Sequence, residues 1–308
     1  LDKKRDRWFV YCKYFDTNQY AIISSTNTGK IFNSLSEIST SHPFVYDYIS
    51  SYLSFQYWSS NNIIEQDDLL LIAHRWTPYK SPENSLQWFL LAKQNWARSI
   101  ELDVSYTKDK QNIVAHWESM WWTVCWKNYL VYNHSLQKLK KECPLNNWEI
   151  LKSLEEMLRD LDWLFDYYFV DIKVYKEDDA EQQTLDVINT VKKLGMQDKV
   201  IISSYNKKSN YILWSHHDVL AWRDAYTLNE RDLLPNISHQ YYLIPYEFVT
   251  ENTAQELADI GKKLVVYTVN NTGDIEKLYR RWVRMIMTDD IPMMKEWLED
   301  QRKPESKN

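Results

Sequence analysis

Glycine is scarce in this chain. The 308 residues include 4 glycines, whereas an average glycine content of about 7% would give roughly 22. The same chain includes 15 tryptophans. The two counts together are close to an ordinary glycine count alone, so the shortage of one residue and the excess of the other need a common explanation.

Cysteine, basic charge and long apolar runs are scarce as well. Cys12, Cys125 and Cys143 show no CxxC or other zinc-like spacing, so neither a disulfide framework nor a structural zinc site is predicted. The net charge of -6 argues against nucleic acid as the main partner, because a surface that follows phosphates needs a basic excess. The sequence lacks a run of the roughly 18 apolar residues that a membrane span needs.

The start of the chain leaves the cellular compartment open. No signal peptide is visible there, but the first residue is Leu1 rather than Met, so a leader could have been removed upstream. Both a cytoplasmic and a cell-envelope location are compatible with this sequence.

Residues 1–66 are expected to form an N-terminal extension of uncertain structure. They lack a helical or strand period over most of their length and are rich in Tyr, Phe, Ser, Thr and Asn. A strand is expected within residues 1–15, and residues 44–58 are a candidate amphipathic helix after Pro43. Core packing is the preferred explanation for the aromatic content, with contact to a partner or a membrane surface as the alternative.

From Leu69 onward, apolar runs of strand length alternate with longer stretches of helical period, a pattern typical of βα units around a parallel sheet. Eight strands are predicted, at 69–73, 99–104, 112–115, 167–172, 199–204, 218–221, 264–269 and 284–288. Helices are predicted at 82–95, with Ser81 as N-cap, and at 147–163, 178–194, 252–262, 273–282 and 291–300. Residues 67–302 therefore predict an α/β fold, a (β/α)8 TIM barrel, followed by a disordered tail at 303–308. The segments 117–146 and 223–250 remain unassigned.

Ionisable side chains lie at the predicted carboxyl ends of the first four strands, where a barrel of this type has its working face. They are, strand by strand, His74 with Arg75, Glu101 with Asp103, His116, and Asp171 with Lys173. Glu101 and Asp103 stand at alternate positions of one strand, so their side chains point to the same side. Because gathering so many ionisable groups is costly, their coincidence indicates a functional site.

These residue types suit the cleavage of a phosphodiester. Two histidines supply an acid and a base near neutral pH. The three carboxylates supply hard oxygen ligands for Ca²⁺ or Mg²⁺. The positively charged side chains of Arg75 and Lys173 can neutralise a phosphate. In such a site the metal polarises the phosphoryl oxygens, one histidine takes a proton from the nucleophile, and the other protonates the leaving alkoxide.

An ordered set of motifs resembles the glycerophosphodiester phosphodiesterase family of barrel-fold phosphodiesterases, which are related to phosphatidylinositol-specific phospholipase C. The motifs are AHR (73–75), PENS (82–85), IELDVSYTKD (100–109), VAH (114–116), VDIK (170–173), VVYTVNN (265–271) and MIMTDDIP (285–292). The resemblance covers residues 69 to about 298. It implies hydrolysis of glycerophosphodiesters to glycerol 3-phosphate and an alcohol, with a small-molecule substrate and a divalent cation.

The resemblance also implies roles for individual residues. His74 and His116 match the catalytic histidines of the family, Glu101 and Asp103 match metal ligands, and Arg75 matches the phosphate contact.

Four further positions carry weaker or altered matches. Asp171 stands where the family commonly has a glutamate ligand, and Lys173 matches the lysine two positions later. Glu83 matches a family glutamate near the site, although a first-turn role beside the helix dipole is equally open. Asn270 is expected to line the site at the end of the seventh strand.

Two rival functions stay open. One is a related barrel phosphodiesterase that acts at a membrane as a lysophospholipase D or a sphingomyelinase D-like enzyme. The other is a barrel that has lost catalysis and serves in binding.

Tryptophan stands where the family has glycine at three places, Trp76 after AHR, Trp96 before IELD and Trp282 before the last strand. Glycine suits helix ends and loops that approach a ligand, and tryptophan suits neither. Trp121 and Trp122 also lie in a stretch where glycine is expected. We hypothesise that the source reads UGA as glycine where this translation assumed tryptophan. A genuinely tryptophan-rich protein with an aromatic loop at 117–126 is the alternative.

Overall fold

The computed structural model describes residues 8–13, 20–25, 69–75, 81–120, 125, 127–161, 164–224 and 239–301. The chain divides into two compact units, Leu1–Gln66 and Asp67–Asn308. In the first unit, β1 (Trp8–Lys13) pairs antiparallel with β2 (Tyr20–Ser25), so the strand expected within 1–15 is present. The candidate helix at 44–58 and the predicted tail at 303–308 lie outside the described residues.

The second unit is a closed (β/α)8 barrel, as predicted. Its strands in chain order are β3 (Leu70–Ala73), β4 (Ser99–Tyr106), β5 (Asn112–Val114), β6 (Tyr167–Ile172), β7 (Val200–Ser204), β8 (Leu220–Asp224), β9 (Tyr241–Pro245), β10 (Lys263–Tyr267) and β11 (Met285–Thr288). All except β5 run parallel around the barrel, and β3 pairs with both β4 and β11, which closes the ring. The barrel strands are buried along most of their length, as expected for a parallel sheet covered by helices.

The helices of this unit follow the barrel strands or lie in the segment after β5. They are α1 (Leu86–Gln94), α2 (Leu136–Glu142), α3 (Leu154–Leu161), α4 (Ala180–Lys193), α5 (Lys207–Ser215), α6 (Thr253–Asp259), α7 (Thr272–Arg280) and α8 (Ile291–Gln301). Helix α5 was not predicted from the sequence. Within the described part of the chain, none of the helices has the length and apolar character that crossing a membrane requires.

The first barrel helix begins later than the sequence predicted. Ser85, not Ser81, is the N-cap of α1, and its side-chain hydroxyl accepts a hydrogen bond from the Trp88 backbone N–H at 3.0 Å. A serine hydroxyl in this position satisfies one of the unpaired N–H groups of the first turn. Glu83 therefore precedes the helix instead of belonging to its first turn.

The prediction that residues 112–115 form the third barrel strand is wrong. The strand β5 pairs antiparallel with β4 and lies outside the ring of eight parallel strands. The five residues between Tyr106 and Asn112 fit a hairpin, whereas a parallel crossover needs a dozen or more. The missing barrel strand is β9, which lies in the unassigned segment 223–250.

Two apolar clusters hold the second unit together. One fills the barrel and includes Ile72, Phe169, Ile201 and Val265, each fully buried. Full burial of each such side chain contributes roughly 1.5–3 kcal/mol. The other lies under the segment that follows β5.

A disulfide that the sequence analysis did not predict belongs to the second cluster. It joins Cys125 to Cys143, whose Cα atoms are 4.8 Å apart. Spacing alone missed this pair because the two cysteines are 18 residues apart and meet only through the fold of the segment after β5.

Candidate active site

Three carboxylates meet at the carboxyl end of the barrel. Asp103 on β4 stands opposite Asp171 on β6 in the parallel register, and Glu101 lies two residues before Asp103 on the same strand. One oxygen of each carboxylate lies within 4.8 Å of the corresponding oxygens of the other two. All three residues are buried. The strand register therefore brings the three predicted metal ligands into one cluster.

Lys173 partly neutralises this cluster. Its Nζ lies 2.6 Å from Asp171 Oδ2 and 3.0 Å from Asp103 Oδ1. Burial alone would lower the pKa of Lys173, but the three carboxylates raise it overall, so the ammonium form is strongly held. Four ionisable side chains therefore share one buried volume.

The carboxylates respond differently to this shared charge. Burial, followed by the neighbouring Asp103, raises the pKa of Glu101 well above its usual range. Burial likewise raises the pKa of Asp171, although Lys173 opposes the shift. For Asp103, burial is outweighed by Lys173, His116 and a hydrogen bond from Asn84, so its pKa is lowered. One positive charge is not enough to balance all three carboxylates in their ionised form.

The cluster fits a hard divalent cation. All of its donor atoms are carboxylate oxygens, the ligand type that Ca²⁺ and Mg²⁺ prefer. Asp171 Oδ1 is buried and has no hydrogen-bond partner among the described residues. A cation bound here would satisfy that oxygen and supply the positive charge that Lys173 alone does not provide.

His116 lies beside this cluster, although not at the end of a barrel strand. It follows β5, and the Tyr175 hydroxyl donates a hydrogen bond to its backbone carbonyl. The Arg75 guanidinium contacts His116 Nε2, and the Trp117 ring packs edge-on against the imidazole with centroids 4.2 Å apart. Burial lowers the pKa of His116 to about 4, and the Arg75 charge acts in the same direction. The imidazole is therefore neutral near neutral pH.

Glu83 lies in the same region, in the loop between β3 and α1. Its Oε1 accepts a hydrogen bond from the Trp117 indole N–H at 2.7 Å. Burial, and then the charge of Asp103, raises the pKa of the Glu83 carboxyl. Glu83 therefore lies beside the carboxylate cluster.

His74 is held by a carboxylate that the sequence analysis did not assign. His74 Nδ1 lies 2.7 Å from Asp289 Oδ1. Asn270 in turn donates from Nδ2 to Asp289 Oδ2 at 3.0 Å, and its Oδ1 accepts from the Asp289 backbone N–H at 2.9 Å. Asn270 therefore lies near the site through Asp289, and the ring of His74 is fixed at one of its two nitrogens.

Asn84 and Asp224 are further site residues that the sequence analysis missed. Asn84 is hydrogen-bonded to Asp103. Asp224 ends β8, and burial together with the charge of Asp171 raises the pKa of its carboxyl to about 7. Asp224 could have been found from its position at the end of a strand, but the sequence analysis predicted that this strand stops at residue 221.

Three tryptophans considered in the sequence analysis, Trp76, Trp121 and Trp122, lie outside the described residues.

Comparison with known proteins gives consistent results. The family model described as "Glycerophosphoryl diester phosphodiesterase family" matches residues 74–293. A glycerophosphodiester phosphodiesterase of Caldanaerobacter subterraneus subsp. tengcongensis is 27% identical over 244 residues, which cover 72% of this chain and 94% of the relative. One from Bacillus subtilis is 25% identical over 258 residues, covering 75% of this chain and 87% of the relative.

Solved structures share the fold at lower identity. A phosphodiesterase of Oleispira antarctica in complex with the product sn-glycerol-3-phosphate has a TM-score of 0.64 and 21% identity, covering 74% of this chain and 96% of that one. A glycerophosphodiester phosphodiesterase from Parabacteroides distasonis has a TM-score of 0.66 and 19% identity, covering 77% and 99%. These two likenesses concern the fold.

The charge balance of the cluster predicts the effect of Lys173→Met. The substitution leaves the carboxylates without their buried cation, which typically costs about 3–5 kcal/mol of the free energy of unfolding. The control Lys140→Met removes a partly exposed pair with Glu156 and should cost about 0–1 kcal/mol. Urea unfolding in the presence of a chelator measures both values. Addition of Ca²⁺ or Mg²⁺ should stabilise Lys173→Met more than wild type. Equal losses in the two variants would contradict the assigned role of Lys173.

Proposed function

Because the chain belongs to the glycerophosphoryl diester phosphodiesterase family, we propose that it hydrolyses glycerophosphodiesters to glycerol 3-phosphate and an alcohol, with a divalent cation bound at Glu101, Asp103 and Asp171. The observation that carries this proposal is the buried cluster of these three carboxylates. The glycerol 3-phosphate bound to the Oleispira antarctica relative supports a small substrate of the same class.

Arg75 and Lys173 would bind the phosphodiester beside the three carboxylates that would hold the cation. Ca²⁺ or Mg²⁺, when bound by the carboxylates, supplies Lewis-acid polarisation of the phosphoryl oxygens. Arg75 contacts a neutral imidazole nitrogen of His116, and a phosphate oxygen would be a stronger acceptor for the same guanidinium. Lys173 would add a second positive charge from the cluster. These groups would stabilise the negative charge that develops as the ester bond breaks.

His116 is the proposed general base. Its pKa of about 4 keeps the imidazole neutral near neutral pH, so a ring nitrogen can accept a proton. The contact from the Arg75 guanidinium to Nε2 also requires a lone pair on that nitrogen. His116 would take the proton from the attacking hydroxyl group.

His74 is the proposed general acid. Its Nδ1 is engaged by Asp289, which leaves Nε2 to exchange a proton with the substrate. A carboxylate on one nitrogen of a catalytic histidine fixes the ring orientation and stabilises the charge that the ring carries while it is protonated. His74 would donate its proton to the departing alkoxide, and Asn270 would hold Asp289 in place.

Turnover of a soluble glycerophosphodiester tests the proposal directly. Wild-type protein should convert glycerophosphocholine to glycerol 3-phosphate and choline, and a chelator should abolish the activity until Ca²⁺ or Mg²⁺ is returned. His74→Ala and His116→Ala should each lower kcat/KM by about 10²–10⁴-fold, the usual contribution of a general acid or base. His217→Ala, which changes an exposed histidine, is the matched control and should leave kcat/KM unchanged.

The outcomes of that assay separate the rival functions. Activity on lysophospholipid or sphingomyelin micelles, without activity on glycerophosphocholine, would favour the membrane enzyme. A failure to hydrolyse any of these substrates would favour a binding barrel without catalysis. Wild-type rates in both histidine variants would refute the catalytic assignment.

Asp289→Asn tests how His74 is held. The amide is close in size to the carboxylate but lacks its negative charge, so kcat should fall by about 10²-fold or more while KM changes little. Asp290→Asn is the control, because the Asp290 side chain accepts a hydrogen bond from the Met293 backbone N–H instead of contacting His74. Steady-state kinetics with glycerophosphocholine measure both variants. A rise in KM with an unchanged kcat would show that Asp289 serves substrate binding instead.

A further inference from the structure

Asn84 makes two hydrogen bonds to Asp103. The Asn84 Nδ2 group donates to Asp103 Oδ2 at 2.9 Å, and the Asp103 backbone N–H donates to Asn84 Oδ1 at 3.0 Å. One amide therefore fixes both the backbone and the carboxylate of Asp103. The second carboxylate oxygen, Oδ1, faces Lys173 at 3.0 Å, on the side of the cluster.

The backbone at Asn84 is adapted to this contact. Its φ of 60° lies in the left-handed region, which asparagine tolerates better than most residues. The residue is 9% exposed and directly precedes Ser85, the N-cap of α1. The start of α1 is fixed in turn by Glu149, whose carboxylate accepts hydrogen bonds from the backbone N–H groups of Leu86 and Gln87, each at 2.9 Å. Asn84 is thus held in place from outside the cluster.

We propose that Asn84 is a positioning residue that orients the Asp103 carboxylate for the divalent cation. This inference rests on the proposed function, because it assumes that the carboxylate cluster binds a metal. Partners that orient a metal ligand typically contribute 10–100-fold to metal affinity. The amide serves this purpose without adding a fourth negative charge to the cluster.

Asn84→Gly separates the side chain from the backbone, because glycine keeps access to positive φ. Isothermal titration of the chelator-treated protein with Ca²⁺ and with Mg²⁺ should show affinity lowered by about 10–100-fold. Excess cation should restore kcat, because the variant loses metal occupancy and not a reacting group. Lys110→Gly is the control, since Lys110 also has a left-handed backbone, with φ of 59°, and lies on an exposed loop. It should bind the cation as wild type does.

The results distinguish this inference from the proposed function. Wild-type affinity in Asn84→Gly would refute the positioning role and leave the proposed hydrolysis intact. Wild-type protein that binds neither cation would contradict both. Thermal unfolding in chelator shows that the variant is folded when its affinity is measured.

An independent observation concerns tryptophans with left-handed backbones. Among the described residues, three of the six non-glycine residues with positive φ are tryptophans, Trp96 at 73°, Trp148 at 68° and Trp282 at 64°. Gly195 and Gly261 have φ of 67° and 72°. A bulky residue in this region is an outlier, whereas glycine enters it without steric cost.

Trp96 and Trp282 occupy the same structural position as the two glycines. Each of the four residues ends a helix and donates its backbone N–H to the carbonyl three residues earlier, while the next residue donates to the carbonyl five residues before it. The acceptors of these two bonds are Lys93 and Ala92 after α1, Lys192 and Val191 after α4, Ala258 and Leu257 after α6, and Tyr279 and Leu278 after α7. This is the Schellman motif, whose left-handed residue is usually glycine.

The surroundings of the Trp148 and Trp282 side chains do not explain why tryptophan stands at these two positions. Trp148 is 84% exposed and Trp282 is 72% exposed. Trp148 closes a turn in which its backbone N–H donates to the Leu145 carbonyl at 2.8 Å. An indole in water gains little from burial, so the unfavourable backbone is not offset by packing of these two side chains.

We infer that positions 96, 148 and 282 carry glycine in the protein as its source makes it, through a codon that is read there as glycine. Peptides of the protein purified from source cells should show, by tandem mass spectrometry, a glycine residue mass at all three positions. A tryptophan mass there, or UGG codons for these positions in the gene, would overturn the inference.

Recombinant variants test the structural reason separately. Trp96→Gly, Trp148→Gly and Trp282→Gly should each raise the Tm of the protein, because each removes a bulky side chain from a left-handed backbone. Gly195→Trp and Gly261→Trp are the reverse controls and should lower Tm. A Cβ at either glycine would meet no atom within 4 Å, so a steric clash of the Cβ does not account for those losses. Unchanged Tm in all five variants would contradict the argument from conformation.

Discussion

Charge repulsion among three buried carboxylates is the constraint around which the site is built. The parallel register of β4 and β6 sets Asp103 opposite Asp171, and the pleat of β4 turns Glu101 to the same side. Carboxylates in a buried volume cannot all stay ionised without compensating positive charge. Lys173 supplies one such charge from the strand end itself, and a bound divalent cation would supply the remainder.

Closure of the barrel brings the remaining site residues to the end of the barrel that holds the carboxylate cluster. The strand β3 pairs with both β4 and β11, so the residues after these strands gather around one opening. His74 follows β3 and Asp289 follows β11, which explains how residues 215 positions apart form a pair at 2.7 Å. The same closure brings Glu83 and Asn84, which precede α1, beside β4.

The sequence predicted the groups attached to barrel strands better than those supplied by loops. Glu101, Asp103 and Asp171 could be predicted because strand periodicity and apolar flanks locate a strand end within a residue or two. His116 was predicted as a strand-end residue, but it lies after the antiparallel strand β5, since the five-residue connection after Tyr106 forces a hairpin. Asn84 and Asp289 were not assigned because their partners, Asp103 and His74, lie 19 and 215 residues away. Contacts of this kind depend on barrel closure, which local patterns do not specify.

At two turns where the backbone favours glycine, this chain has tryptophan, and both turns set the position of strands that carry site residues. The left-handed residue 96 reverses the chain between α1 and β4, and two residues later the Arg98 backbone N–H already bonds to Leu71 on β3. Residue 282 does the same between α7 and β11, whose end carries Asp289. A one-residue change in the path through either turn would move alternate side chains to the other face of the following strand. The backbone requirement at these two turns is therefore a requirement of the site, because Glu101, Asp103 and Asp289 reach it only in the register that the turns impose.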